Sequence, residues 1–206
     1  MLPLFDQQED DPPLPHLTRL VTDGTDRVAW LRARARGITA TDVAKLSTPA
    51  SIQAAAHAKL HGTGFGGNAY TDHGRSREPE IARWVRRQHG IDSSSALFHA
   101  DGERRHLATP DGVAVREGGL IELAEIKTTS KPWRRVPRAY LRQVWWQQYV
   151  LGAERTLLVW EEHDNFVPVH PEPRWVWIER DEVEIARLVG LANQLIRTLA
   201  ALTARG

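Results

Sequence analysis

Asp111, Glu125 and Lys127 are the residues whose types and spacing first suggest chemistry. Ala108-Thr109-Pro110-Asp111-Gly112 sets a carboxylate at a proline–glycine turn. Leu120 to Lys127 is an apolar run ending in Glu125-Ile126-Lys127, which predicts a strand. Residues two apart on a strand point the same way, so Glu125 and Lys127 share one face while Ile126 packs into the other. If the strand before the turn pairs with the strand after it, Asp111 approaches Glu125. Two such carboxylates hold a hard divalent cation through oxygen. A lysine beside them positions a water or neutralises charge developing on a phosphate. Taken alone, Pro-Asp-Gly and Glu-x-Lys fit equally well into an ordinary surface hairpin.

Other side chains could serve such a centre. Glu78 lies near the start of a predicted helix over 75–88, where an acid is also favourable for the helix alone. Gln143 and Gln147 are one helical turn apart and share a face with Tyr140, as an exposed polar stripe or as amides aimed at a water or phosphate. Arg34 and Thr41 bracket the Gly37 turn, and guanidinium, hydroxyl and helix N–H groups together suit a terminal phosphate. The nine histidines show no ligand spacing and read as mostly surface, and Trp145 and Trp146 read as core.

The elements that must position these groups follow from periodicity and punctuation. A leader over 1–16 is acidic and proline-rich and is expected to be a flexible arm, with one domain over 17–206. Thr39 stands three residues before Asp42, a variant of the capping box, ahead of a short helix. Ser51 is a second expected cap, for a helix to Leu60. Residues 61–68 are a glycine-rich loop without the Gly-Lys-Ser/Thr of a P-loop. The 75–88 helix has Ile81, Trp84 and Val85 as its apolar stripe. Strands are expected over 96–100, 155–161 and 174–178, and a helix over 138–151 closed by Gly152. Asp181 should cap a last helix that buries Val183, Ala186, Leu188, Val189, Leu191, Leu195, Ile196 and Leu199.

Composition narrows the classes. The absence of cysteine excludes disulfides, zinc–thiolate sites and iron–sulfur clusters, and an intracellular setting is the simplest expectation. No apolar run is read as long enough to span a bilayer, so no membrane partner is expected. The net charge of +1 hides an acidic N-terminus and a basic body. Arginine and lysine gather at 32–36, 75–87 and 131–142, flanking the carboxylates, which favours a phosphate-facing role.

Several segments in order resemble one family. Trp30-x3-Arg34-x4-Thr39-Ala40-Thr41-Asp42-Val43, Gly74-x3-Glu78, Thr109-Pro110-Asp111-Gly112, Glu125-Ile126-Lys127, Tyr140-x2-Gln143-Val144 and 177–182 are similar to the lambda exonuclease and YqaJ-type phage recombinases. These belong to the PD-(D/E)xK nucleases. The resemblance implies an α/β (α+β) restriction-endonuclease-like core, a central mixed sheet flanked by helices. It implies a Mg²⁺-dependent exonuclease, with Mn²⁺ as a substitute, that degrades linear double-stranded DNA from its 5′ ends in recombination of phage type. By carry-over Asp111, Glu125 and the Ile126 carbonyl hold metal and Glu78 supports that site. Lys127 orients the attacking water, Gln143 and Tyr140 contact the reacting region, and Arg34 and Thr41 hold the 5′ phosphate. Thr41 stands where the family has serine, keeping the hydroxyl, and the loop from Lys127 to Tyr140 is shorter than in lambda exonuclease. Phe65 or Tyr70 would be the apolar wedge that splays the duplex end. The expected partners are DNA ends, a single-strand annealing protein and, by analogy, further copies in a trimer, in the cytoplasm of a bacterial host carrying the phage or prophage. The alternatives are a PD-(D/E)xK endonuclease, a CRISPR-associated nuclease without an iron–sulfur cluster, and a catalytically silent DNA-end-binding protein.

Overall fold

The computed structural model describes residues 14–62 and 69–204. Most of the expected arm, and Phe65 with most of the glycine-rich loop, lie outside the described residues. The fold begins earlier than the sequence suggests. A 3₁₀ turn over Pro15–Arg19 buries His16 edge-on against Phe98, so residues 14–16 belong to the fold.

Local signals start most elements. After β1 (Leu20–Thr22), the Asp26 carboxylate accepts from the N–H groups of Val28 and Ala29 and caps α1 (Arg27–Ala35). At Gly37 a Cβ would meet Leu107 at 2.4 Å and the Arg105 carbonyl at 2.5 Å, so only glycine lets the chain pass. β2 (Ile38–Thr39) runs directly into α2 (Ala40–Ala44) through a reciprocal capping box between Thr39 and Asp42. Thr48, not Ser51, caps α3 (Pro49–His61), with Ser51 returning the bond from the third position. α4 (Ala69–His89) starts ahead of the predicted Arg75 and runs through Pro79, burying Ile81, Trp84 and Val85 as expected.

Two mixed sheets result. β3 (Asp92–Ser93), β6 (Gly112–Val115), β7 (Ile121–Thr129), β8 (Arg155–Asp164), β9 (Val167–Pro168) and β10 (Arg174–Glu179) form the larger, in the order β10-β8-β7-β6-β3 with β9 on β8. β7 and β8 pair in parallel; the other pairs are antiparallel. β4 (Leu97–His99) and β5 (His106–Ala108) join β1 and β2 in the smaller sheet, in the order β1-β4-β5-β2. The chain leaves the smaller sheet at Thr109–Pro110 and enters the larger one at Gly112. This corrects the expected hairpin: β5 does not pair with β7, whose antiparallel partner is β6. Asp111 sits at the crossing between sheets, where its N–H donates to the Ala124 carbonyl.

Helices cover both faces of β7. α5 (Arg138–Leu151) has the predicted ends, opened after Pro137 and closed by Gly152 in the left-handed region at φ 71°. The Trp146 indole donates to the Leu107 carbonyl and that of Trp145 to Glu179, pinning α5 across both sheets. Ile121 and Leu123 pack on the α5 side with Val144, Trp146 and Leu188, whereas Ala124 and Ile126 pack on the α4 side with Ile81 and Trp84. The alternation of β7 thus holds as read. α6 (Glu182–Thr203) keeps most of the predicted stripe, with Val189, Leu191, Ile196 and Leu199 partly buried against the core. Ile185, Leu188, Ala192 and Leu195 are buried, while Val183 is 81% exposed and Ala186 is also exposed, because the Asp181 cap leaves the first turn in solvent. By length and composition alone α6 could cross a membrane, as the core helix of a globular domain also could. Here its apolar face packs on α3 and α5. The histidines also depart from expectation: His16, His106 and His163 are buried, since a neutral imidazole packs much as an aromatic ring does.

Candidate active site

Register brings the carboxylates together. Gly112 faces Ala124 across the β6–β7 ladder, so Asp111 lies beside Glu125 and Ile126. The Asp111 Oδ2 accepts from the Ile126 N–H at 2.7 Å. Glu125 is buried, and one of its oxygens is bonded by the Lys127 ammonium. The Gln147 amide, from the third turn of α5, donates to the other at 2.7 Å. Gln147 is itself 2% exposed, and its Oε1 has no partner among the described residues.

An open cavity of about 730 Å³ exposes this cluster. Glu78 and Pro79 of α4 form one wall, and Gln143 and Gln147 of α5 another. Arg34, Thr41 and Thr109 line the far end with Trp30. There the Arg34 guanidinium donates at 3.4 Å to Thr109 and 3.5 Å to Thr41, and lies 4.9 Å from the centre of the Trp30 ring. Arg27 packs on the same indole at 4.2 Å, and the Trp30 N–H donates to the Ser95 carbonyl. Beneath α4 the Arg77 guanidinium grips Glu161 of β8 with two bonds, at 2.8 and 2.6 Å, which ties the Glu78 turn to the sheet.

The electrostatics are those of crowded carboxylates. Burial, then the Glu125 charge, push the Asp111 carboxyl well above the ordinary range, against the pull of Lys127. Glu78 reaches in from an exposed turn, and loss of water around its carboxyl raises it too, with Lys127 opposing and Glu125 adding. Burial works to deprotonate Lys127, but Glu125 and Asp111 more than offset it and hold the ammonium charged. Three carboxylates thus face one ammonium.

Among the described residues no three His, Asp or Glu side chains gather as a ready metal-ligating group. The donors still fit a hard cation. Two carboxylates adjoin a buried amide oxygen that lacks a partner, and a cation between them would relieve the crowding that raises the Asp111 carboxyl. In this arrangement the Lys127 ammonium supplies the positive charge at Glu125.

Most residues predicted from sequence converge: Glu78, Asp111, Glu125, Lys127, Gln143, Arg34 and Thr41 line one cavity. Ile126 contributes through its N–H; its side chain is in the core. Tyr140 is not in the cavity wall. Its ring lies 5.4 Å from the Lys127 ammonium and is backed by Trp133, which stacks on Trp160. Tyr70 is on the exposed first turn of α4, outside the main cavity but lining a side cavity with Glu78 and Lys127. Thr109 is the functional candidate that sequence reasoning passed over, while of the two amides weighed there it is Gln147 that meets Glu125. Gln147 shares its helix face with Gln143, and Thr109 directly precedes the Pro-Asp-Gly turn.

Residues 29–154 match the model of the YqaJ-like viral recombinase domain. An alkaline exonuclease from Laribacter hongkongensis superposes with a TM-score of 0.65 at 23% identity, over 84% of this chain and 92% of that one. A phage-related exonuclease from Haemophilus somnus superposes with a TM-score of 0.62 at 14% identity, over 81% of this chain and 96% of that one. No curated protein matches the sequence. At these identities the structural likeness speaks for the fold, which is the restriction-endonuclease-like PD-(D/E)xK core with its mixed sheet between helices.

Proposed function

The chain belongs to the YqaJ-like viral recombinase family, and from that premise we propose that it is a Mg²⁺-dependent exonuclease acting on the ends of linear double-stranded DNA. The polarity proposed is 5′ to 3′, and the setting is homologous recombination of phage type beside a single-strand annealing protein. The observation that carries the reading is the convergence of Asp111, Glu125 and Lys127 in one open cavity, with a cationic pocket at its far end. The alkaline exonuclease from Laribacter hongkongensis has also been solved in complex with dAMP, a nucleotide such an activity releases.

Asp111 and Glu125 are the residues that would hold the divalent ion, with Gln147 steadying Glu125 and the Ile126 N–H steadying Asp111. When bound, the ion supplies Lewis acidity to the scissile phosphate and lowers the pKa of a nearby water. Lys127 then lies beside the reacting phosphate. Its three N–H donors can leave Glu125, orient the attacking water and offset the charge that grows on the phosphate oxygens. Glu78 sits where it can accept a proton from that water, and its raised pKa suits such a base. Gln143 lines the path of the strand, and Tyr140 backs the ammonium with its ring face.

Arg34, Thr41 and Thr109 provide one fixed guanidinium and two hydroxyls for a terminal phosphate. Trp30 holds the guanidinium plane, so the pocket is preorganised. A phosphate held there sets the distance from the chain end to the scissile bond, which is how an enzyme of this kind would count single nucleotides. Digestion of linear against covalently closed circular duplex tests the proposal: the line should shorten while the circle survives. Nicking or cutting of the circle would point to an endonuclease instead.

A further inference from the structure

Beyond the carboxylate centre, β8 turns back into β9 through the two residues Asn165 and Phe166, with His163 opposite Pro168 and Asp164 opposite Val167. Both turn residues have positive φ, 47° and 67°. Two-residue hairpin turns of this kind favour Asn followed by Gly, because glycine pays no Cβ penalty there. Asparagine fits its position; phenylalanine is held against its backbone preference. The strained ring is not tucked into the core. Phe166 remains 42% exposed, stacked at 18° on His163 and 5.3 Å from the ring of Tyr70, which is 57% exposed. His73 closes the cluster from below, 5.2 Å from Phe166. A residue kept in an unfavourable conformation to display an aromatic face is a pointer to function.

The cluster adjoins the same cleft. Tyr70 precedes Glu78 by eight residues on α4, roughly 12 Å at the helical rise. A side cavity lined by Tyr70, Gly74, Glu78, Lys127 and Thr128 joins that end of α4 to the centre. A strand whose backbone crosses Asp111 and Lys127 can therefore continue toward these rings.

We propose that Phe166, flanked by Tyr70, is a stacking platform for unpaired bases of the DNA strand that occupies the cleft. Stacking on a π-face needs no base identity, so the platform would be tolerant of sequence. It rests on the nuclease reading only in taking DNA as the ligand of the cleft; it requires no cleavage. The probe is a single-stranded oligodeoxynucleotide carrying 2-aminopurine, titrated into the full chain in chelator, with fluorescence quenching and Kd both read. Phe166→Ala should lose most of the quenching and weaken binding about tenfold, within the range expected for one stacked base. Phe166→Trp should restore both, and a blunt duplex should bind all three proteins alike. Unchanged quenching and Kd in Phe166→Ala would overturn the proposal. So would a change in sedimentation of Phe166→Ala with single-strand binding intact, because the rings would then serve a protein interface. If the wild type cleaves nothing yet quenching follows Phe166, the nuclease reading falls and the platform stands. If cleavage is present and quenching ignores Phe166, the platform falls alone.

Discussion

Replacing Gln147 with leucine removes the amide that donates to Glu125 while nearly keeping the side-chain volume. The partner is a carboxylate and the site is dry, since Gln147 is 2% and Glu125 4% exposed. A hydrogen bond to a charged group contributes about 1.5–3 kcal/mol, and its loss leaves the acceptor short of a partner. At about 1.4 kcal/mol per factor of ten, that corresponds to roughly a 10- to 150-fold effect. Outer-shell partners of metal ligands typically give about 10- to 100-fold, so two independent estimates agree. The Gln147→Leu variant should therefore need one to two orders of magnitude more Mg²⁺ for half-maximal cleavage. Its DNA affinity in chelator should equal that of the wild type, because Gln147 is buried and faces Glu125. The assay is a Mg²⁺ titration of nucleotide release, with calorimetric metal binding beside it. A wild-type metal dependence in Gln147→Leu would refute the role of this amide and weaken the assignment of Glu125 as a ligand.

Other expectations are as direct. Burial holds the His106 imidazole down to about 4, against about 6.5 in the unfolded chain, so the unfolded state takes up a proton that the fold refuses. The stability this gives is present above about pH 6.5 and falls with pH, by about 2 kcal/mol at pH 5; His106→Gln should flatten that slope in urea unfolding, and an unchanged slope would count against it. Arg77→Met strands Glu161, 5% exposed, without its guanidinium and should cost about 3–5 kcal/mol in chemical denaturation, whereas the charge-free pair with Glu161→Gln should recover most of it. Arg34→Ala should abolish any preference for 5′-phosphorylated over 5′-hydroxyl duplex in a competition digest, leaving the slower rate for both.

Different parts of the chain were legible to different degrees, for physical reasons. α5 could be bounded because Pro137 and Gly152 punctuate it. The two faces of β7 could be assigned because strand alternation is local: Glu125 and Lys127 look one way and Ile126 the other. How Asp111 reaches Glu125 could not be seen. β6 joins β7 in a local hairpin, but β5 is drawn into the other sheet by a parallel pairing distant in sequence, Ile38 opposite His106. β2, β3 and β9 have two residues each, too few for a period of two to register. Gln143 and Gln147 lie on one helix face, and which of them meets Glu125 is decided by where α5 crosses β7. Tyr140 belongs to the same face, yet Trp133 draws its ring behind the lysine. In α6 the stripe from Leu188 to Leu199 was legible from its period, but Val183 and Ala186 proved exposed and Ile185 and Ala192 buried, because that choice depends on where the helix meets α3 and α5.

The central claim is that Asp111 and its neighbours form a metal-dependent centre that shortens DNA from an end. Linear duplex labelled separately at the 5′ and 3′ ends, digested with Mg²⁺ by the wild type and by Asp111→Asn, tests it most directly. The account predicts early release of the 5′ label by the wild type, and no release by a variant that still binds DNA. Full activity in Asp111→Asn, or cleavage in chelator, would contradict it.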